Sequence, residues 1–201
     1  MVLNYYMNII DTSTNSKNSS LDNSIKNIPL FKIEPVEYKV LNTLITDIIF
    51  QSVASVKNFK NFEMCKGINV FAMGESTKSS LEKIGINATT AEIPGSSSLI
   101  ELLGKKLIKR KFAIVKGLDG LVEVHDHVIR YGAHTENIVC YKRKKFLNYM
   151  GIREKFIEAD VVIFSSTFAA KIFFEKIYIA NNTMSFICIS ERIKEYINKL
   201  G

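Results

Sequence analysis

The chain has 201 residues, of which 47% are hydrophobic, and it carries a net charge of +7. A chain of this length and apolar content can bury the core of one large domain or two small ones. It contains no run of about 18 apolar residues, so we expect no membrane span, and its first residues lack the basic and apolar regions of a secretory signal peptide.

The positive charge has two interpretations that the sequence leaves open. A cationic surface would attract an anionic partner, but the joint abundance of Lys, Asn and Ile also fits a codon bias. The basic stretches 105–111 and 142–145 lack the interleaved aromatic residues that are typical of a nucleic-acid-binding sheet. We therefore expect no nucleic-acid partner.

The three cysteines, Cys65, Cys140 and Cys188, lie far apart, and no Cys-x-x-Cys spacing occurs. Cys140 and Cys188 lie inside apolar runs, which favours buried, reduced thiols. Reduced thiols are typical of a cytoplasmic protein, and the cytoplasm is the location that we expect.

In chain order, the sequence first shows a polar, Ser- and Asn-rich segment at 11–28, which predicts a loop or a short frayed helix. Strand-like apolar runs then alternate with helical patterns, and this alternation predicts an α/β fold with parallel sheets flanked by helices. Gly85 and Gly132 are placed to end two of the helices. The spacing of apolar residues predicts strands at 27–36, 47–52, 69–74, 87–93, 112–117, 137–141, 160–166 and 185–190, and helices at 77–85, 96–110, 121–132, 166–177 and 191–200.

Small polar residues follow several of the predicted strands. In an open α/β sheet, ligands bind outside the carboxyl ends of the strands, and hydroxyl groups and free N–H groups at helix N-termini suit anions there. A carboxylate or phosphate site is therefore one interpretation, and ordinary helix capping by Ser and Thr is the other. The segments concerned are 51–52, 74–77, 116–117, 165–167 and 190–191.

Other chemical motifs are weak. The two familiar phosphate-binding signatures are absent, since the nearest glycine loop, at 117–120, is too short for either. His125 and His127 stand two positions apart on a predicted helix, so they point to different faces and cannot share one metal ion. We expect no metal.

An ordered set of segments resembles the uroporphyrinogen-III synthase family. Each segment is a weak motif alone, and their order and spacing over 29–192 carry the resemblance. The chain departs from the family in having Lys116 where an Arg usually precedes the glycine, in lacking an Arg after its first strand, and in ending before the family's last strand and helix. The segments are PLFKIEP (29–35), IIFQSVASV (48–56), FAMGEST (71–77), SSSLIELL (96–103), AIVKG (113–117), NIVCYKR (137–143), VIFSS (162–166) and CISER (188–192).

The resemblance implies two α/β lobes with parallel sheets, joined by a two-stranded ladder. The chain would cross between the lobes at 29–36 and again at 137–144. The first lobe would then be discontinuous, made of residues 1–35 and 142–201, and abbreviated at both ends. The second lobe would be residues 36–141.

The resemblance also implies a hydro-lyase of porphyrin and haem biosynthesis that works without a cofactor, and we expect a monomer. The family's substrate is hydroxymethylbilane, a linear tetrapyrrole with eight carboxylates, which is cyclised with inversion of ring D and loss of water. Such a polyanion suits hydroxyl groups, helix-end N–H groups and a positive field. Two alternatives stay open: a non-catalytic tetrapyrrole- or anion-binding α/β protein descended from that family, and an unrelated small α/β ligand-binding protein.

By motif, Tyr141 is the candidate catalytic residue, because its phenol can help the substrate hydroxyl leave as water. The alternative is a ladder residue that only packs the hinge. Regular alternation would place Tyr141 on the face of Val139 and opposite Cys140. Thr77 should lie at a helix N-terminus. The candidate substrate-binding residues are Ser52, Gly74, Ser76, Thr77, Lys116, Gly117, Ser166 and Ser190.

Overall fold

A computed structural model describes residues 7–14, 25–40, 44–179 and 183–200. Within these ranges the chain has the predicted α/β fold, with parallel sheets flanked by helices. The strands are β1 (Ile9–Asp11), β2 (Ile25–Asn27), β3 (Phe31–Pro35), β4 (Asp47–Phe50), β5 (Asn69–Ala72), β6 (Lys111–Gly117), β7 (His134–Lys145), β8 (Val161–Phe164) and β9 (Ser185–Cys188). The helices are α1 (Val53–Asn58), α2 (Glu75–Glu82), α3 (Ser96–Leu103), α4 (Glu123–Arg130), α5 (Met150–Arg153), α6 (Thr167–Lys176) and α7 (Glu191–Asn198).

The chain packs as two compact units. The terminal unit combines Met1–Lys32 with Lys144–Gly201, and the central unit is Ile33–Arg143. One border falls inside β3 and the other inside β7, and these two strands are neighbours in one sheet. The chain therefore changes units along two adjacent strands.

The sheet of the central unit has the strand order β3-β7-β6-β4-β5, and the pairs β7-β6, β6-β4 and β4-β5 are parallel. Alternating apolar residues give this sheet two buried faces. One face packs Ile48 and Phe50 against α1 and α2, and the other packs Ile49 against α3 and α4. Parallel pairing aligns the carboxyl ends of β4, β6 and β5, so the segments that follow them lie at one edge.

The sheet of the terminal unit has the order β2-β1-β8-β9 and is parallel throughout. Phe164 packs against Phe173 and Phe186, with ring centroids 5.3 and 5.8 Å away. Strand β1 was not predicted, and β2 lies where the sequence predicted a loop or helix. That prediction was wrong because a three-residue strand is too short to show alternation. Residues 15–24 of the same segment lie outside the described residues.

Other element predictions need correction as well. The predicted strand at 87–93 does not form, and only Thr89 makes an isolated bridge, with Phe71, because the chain bends at 92–95 before α3. Helix α3 is shorter than predicted because Gly104 adopts a left-handed φ of +66° and ends it. Helices α1 and α5 were not predicted.

Candidate active site

Ser52 and Tyr141 meet where β4 ends and β7 passes the end of β6. The Ser52 hydroxyl and the Tyr141 phenol oxygen are 3.0 Å apart. Ser52 is also the N-cap of α1: its Oγ accepts the Ser55 backbone N–H, and the Ser55 Oγ accepts the Ser52 backbone N–H, both at 3.1 Å. This capping box holds the Ser52 side chain in place. Tyr141 is only 3% exposed, so its phenol is shielded from bulk water, whereas Ser52 is partly exposed.

A β-bulge in β7 determines the direction of the Tyr141 side chain. Pairing between β6 and β7 is regular as far as Lys116 with Val139, and then Gly117 pairs with Tyr141, which leaves Cys140 as an extra residue. A bulge bends its strand and re-aims the following side chain. Cys140 and Tyr141 therefore belong to the same core cluster, and the predicted placement of Tyr141 opposite Cys140 is wrong.

Gly117 makes room for the phenol ring. A Cβ atom at this position would lie 2.6 Å from Tyr141 Cζ and 3.0 Å from the phenol oxygen, well inside van der Waals contact. The Leu118 backbone N–H donates to the Tyr141 carbonyl at 2.8 Å. The end of β6 and the loop that follows it thus fix both the ring and the main chain of Tyr141.

Lys116 lies beside this pair and is 5% exposed. Its ammonium donates to the Leu121 carbonyl at 3.0 Å, and the Gln51 side-chain amide donates to the same oxygen at 2.9 Å. A Cβ atom at Gly120 would lie 2.8 Å from both Gln51 Oε1 and Lys116 Cε. The loop from β6 to α4 is therefore folded tightly over two polar side chains.

The charge of Lys116 is partly disfavoured in this position. Burial lowers the pKa of its ammonium, and the nearby charges of Glu123 and Asp126 oppose that shift. Gln51 belongs to one of the polar segments that the sequence marks as candidate anion sites, but its bond to the Leu121 carbonyl is not predictable from the sequence. Gly120 was not predicted as a site residue, and the short spacing between Gly117 and Gly120 was the available signal.

The turn from β5 into α2 has different properties. Gly74 is the N-cap and supplies no capping side chain. Its backbone is extended, with φ of −178°, which any residue can adopt. A Cβ atom there would lie 3.1 Å from Pro94 Cβ, so the nearby Pro94 side chain, rather than backbone strain, restricts which residues fit at position 74. Thr77 is buried in the first turn, where its N–H donates to the Gly74 carbonyl at 3.0 Å, and Ser76 is exposed. Thr77 thus lies at a helix N-terminus as predicted, and the first-turn N–H groups suit an anion.

Ser166 and Ser190 lie in the terminal unit, after the neighbouring strands β8 and β9. Ser166 caps α6, and its Oγ accepts the Ala169 N–H at 3.1 Å. Ser190 is the N-cap residue of α7, but its side chain makes no capping bond. Within the described residues, the Ser190 hydroxyl oxygen is buried and has no hydrogen-bond partner. The Ser166 hydroxyl is therefore used by its own helix, whereas the Ser190 hydroxyl is unpaired among the described residues.

The histidines and thiols have separate, ordinary environments. His125 pairs with the Asn137 amide at 3.1 Å, and His127 with the Gly104 carbonyl at 2.8 Å. Burial raises the pKa of the Cys140 thiol to about 11, so this thiol is protonated at neutral pH and is a poor nucleophile.

Over the described ranges, no three His, Cys, Asp or Glu side chains gather as a metal site. The helices that the structure describes include none with the length and apolar character to cross a bilayer.

Comparison with known proteins identifies the family. A family model described as uroporphyrinogen-III synthase HemD matches residues 21–201. The chain belongs to the uroporphyrinogen-III synthase family. The solved uroporphyrinogen-III synthetase of Helicobacter pylori 26695 aligns with a TM-score of 0.69 and 15% identity, covering 97% of this chain and 89% of that one. A mutant uroporphyrinogen III synthase of the extremely thermophilic bacterium Thermus thermophilus aligns with a TM-score of 0.60 and 12% identity, covering 96% and 88%.

Because their sequence identities are only 15% and 12%, the two solved structures support the fold alone. The search of curated proteins found no match. The family match confirms the predicted function, uroporphyrinogen-III synthase in tetrapyrrole and haem biosynthesis. The family consists of lyases that act on hydroxymethylbilane, a linear tetrapyrrole. All candidate site residues, from Ser52 to Ser190, lie within the matched range.

Proposed function

We propose that this chain is a catalytically competent uroporphyrinogen-III synthase and that Tyr141 is its proton donor. One observation carries the proposal: the Tyr141 phenol is almost fully buried and lies 3.0 Å from the Ser52 hydroxyl at the carboxyl edge of the central sheet. A general acid must be held within hydrogen-bond reach of the group that it protonates. A phenol that is held in one position by Ser52 and Gly117 is preorganised for such a contact.

In the proposed reaction, the Tyr141 proton passes to the terminal hydroxyl of hydroxymethylbilane, the carbon–oxygen bond breaks, and water leaves. The substituted α-carbon of ring D then attacks the carbon that carried the hydroxyl, which gives a spiro intermediate. The bond from this α-carbon to the bridge shared with ring C breaks, and the bridge carbon bonds to the other α-carbon of ring D, so that the ring is inverted. Closure of the macrocycle releases one proton, which restores the phenol. The step therefore yields one macrocycle and one water, and it needs no oxidant or reductant.

The carboxylates of the substrate need hydrogen-bond donors and positive charge. In the central unit we assign this role to the free N–H groups of the first turn of α2, beside Gly74 and Ser76, since the Thr77 N–H already donates to the Gly74 carbonyl. In the terminal unit we assign it to the Ser190 hydroxyl, which has no partner among the described residues. The net charge of +7 favours the approach of a polyanion. The remaining candidates, Ser52, Lys116, Gly117 and Ser166, already have contacts inside the protein.

The proposed working form is a monomer in the cytoplasm. The three cysteines are free thiols, and a reducing compartment maintains that state. Light scattering at the assay concentration checks the monomer. The expected mass is that of one 22.8 kDa chain, and twice that mass would contradict the proposal.

An isomer assay tests the activity. Freshly made hydroxymethylbilane is incubated with the protein, the products are oxidised, and the type I and type III uroporphyrins are separated. Spontaneous closure gives type I, so type III product that increases with protein concentration is the expected result, and a heat-denatured sample is the control. Type I product alone from the folded protein would overturn the proposal, and retained tetrapyrrole binding would then indicate a non-catalytic descendant.

A further inference from the structure

The hydrogen bonds of Ser52 extend beyond the capping of α1. A serine hydroxyl has one proton to donate and two positions at which it accepts. One of these positions accepts the Ser55 backbone N–H at 3.1 Å. Among the described residues, the other partner of Ser52 Oγ is the phenol oxygen of Tyr141 at 3.0 Å.

The direction of this second bond follows from the chemistry of proton transfer. When the phenol proton is shared with a substrate hydroxyl, it is no longer available to Ser52. Two oxygens 3.0 Å apart then avoid repulsion only if Ser52 donates its proton to the phenol oxygen. The Ser55 N–H that donates into Ser52 strengthens this bond further, because hydrogen bonds in a chain polarise one another.

The same bond becomes stronger as the reaction proceeds. Loss of the phenol proton places negative charge on the Tyr141 oxygen, and a hydrogen bond to an ionised acceptor is about twice as strong as one to a neutral acceptor. An interaction that is stronger in the transition state than in the ground state raises the rate of the chemical step.

We propose that Ser52 is a positioning residue that acts on the reaction through Tyr141, donating its hydroxyl proton to the phenol oxygen while the phenol proton passes to the substrate. This inference rests on the proposed role of Tyr141. It gives Ser52 a function other than the carboxylate contact predicted from the sequence. The capping box fixes the serine and Gly117 fixes the ring, so the bond is assembled before substrate binds.

Two substitutions of Ser52 separate its hydroxyl from its capping role. Ser52→Gly removes the hydroxyl at an N-cap position where Gly is well tolerated. Ser52→Thr keeps a hydroxyl that can both cap and donate. Asn58→Ala is the matched control, because it removes a side-chain hydrogen bond to the Ala54 carbonyl in the same helix and leaves the Ser52 capping box untouched. Thermal melting establishes that each variant is folded.

Steady-state kinetics of type III formation give the first result. We expect Ser52→Gly to lower kcat by about tenfold, the effect of one lost hydrogen bond in the transition state, with KM unchanged. Ser52→Thr should restore most of the rate, and Asn58→Ala should retain it. A raised KM with unchanged kcat would overturn the inference, because it would indicate a direct substrate contact.

A double-mutant cycle with Tyr141→Phe gives the second result. If Ser52 acts through the phenol, adding Ser52→Gly to Tyr141→Phe should change the residual rate by less than about twofold. Fully additive losses would overturn the inference while leaving Tyr141 as the proton donor. Full activity of Tyr141→Phe alone would instead overturn the proposed role of Tyr141, so the two failures are distinguishable.

Discussion

The central sheet carries a polar cluster at each end, and the two clusters differ in how completely their groups are paired. At the amino end, Asp47 is fully buried. Its carboxylate accepts hydrogen bonds from Arg110 Nε and the Asn69 amide, both at 2.9 Å, and from the Thr46 hydroxyl. The Arg110 guanidinium also lies 4.8 Å from the ring centroid of Phe112, so its charge is both paired and packed.

At the carboxyl end, the Ser52–Tyr141 pair is uncharged. The pair has two hydroxyl protons, and within the described residues only one of them has an acceptor, which is the other hydroxyl. The Lys116 ammonium is engaged with the main chain at Leu121 rather than with a carboxylate.

The difference indicates that the cluster at the amino end stabilises the fold, whereas the cluster at the carboxyl end holds the groups that we propose for the reaction. At the amino end both oxygens of the Asp47 carboxylate are paired, and removing one partner would leave a charge unpaired. The unused proton at the carboxyl end adds little to stability, and under the proposed mechanism it is the proton that passes to the substrate. Substitutions at the amino end should therefore change unfolding, and substitutions at the carboxyl end should change turnover.

The largest effect that we expect is on turnover, from Tyr141→Phe. This substitution keeps the ring over Gly117 and removes the proton donor, so the rate of type III formation should fall by about 10²- to 10⁴-fold. The type I fraction should rise accordingly, while the melting temperature stays close to that of the parent. A sharp loss of thermal stability with full type III synthesis would show that the phenol is structural.

The next largest effect should be on stability, from Asp47→Asn. Because the Arg110 side chain is 26% exposed, water compensates part of the loss, and we expect destabilisation of about 2–3 kcal/mol, below the range for a fully buried pair. Urea unfolding measures it, and kcat of the folded fraction should be unchanged. The control is Glu63→Gln in the exposed Glu63–Lys66 pair, which should cost less than about 1 kcal/mol. Equal losses of unfolding free energy in Asp47→Asn and Glu63→Gln would show that the buried cluster at the amino end of the sheet has no special role in stability.

Acid should remove the stabilisation that the paired Asp47 carboxylate gives to the folded state. Burial alone would raise the pKa of Asp47, but hydrogen bonds from Arg110, Thr46 and Asn69, together with the Arg110 charge, outweigh it and hold the pKa below its ordinary value of 3.8. The stabilisation is therefore complete above the unfolded pKa and is lost as pH falls through the lower, folded pKa. Urea unfolding at pH 7, 5 and 3 should show the gap between parent and Asp47→Asn closing only in the acid range. A gap that stays constant to pH 3 would contradict the assignment.

The smallest predicted effects distinguish two serines at the carboxyl edge of the other sheet. Ser166→Ala removes a helix cap and should cost about 1 kcal/mol of unfolding free energy. Ser190→Ala removes a hydroxyl without a capping bond and should cost almost nothing in stability, but it should raise KM for hydroxymethylbilane. Equal stability losses and an unchanged KM would show that Ser190 is only a cap.

The sequence was informative where its periodicity was regular. Strands β4, β5 and β6 alternate or run apolar over at least four residues, so their positions were predictable, and the glycines at 85 and 132 marked helix ends. The contact between Ser52 and Tyr141 was not predictable, because it depends on a bulge that shifts β7 by one residue against β6. The pairing of Asp47 with Arg110 was missed for a related reason: sixty-three positions separate them, and only sheet register brings them together.

Because the Tyr141 ring occupies the space that a side chain at Gly117 would need, these two positions behave as one packing unit. A residue larger than glycine at 117 therefore requires a smaller residue at 141. Among relatives that keep the bulge, a residue with a Cβ at the position of Gly117 should be accompanied by a smaller residue at the position of Tyr141, and a tyrosine should be accompanied by glycine. Covariation of this pair across an alignment would then identify, without any structure, which members of the family direct a phenol toward the edge of the sheet.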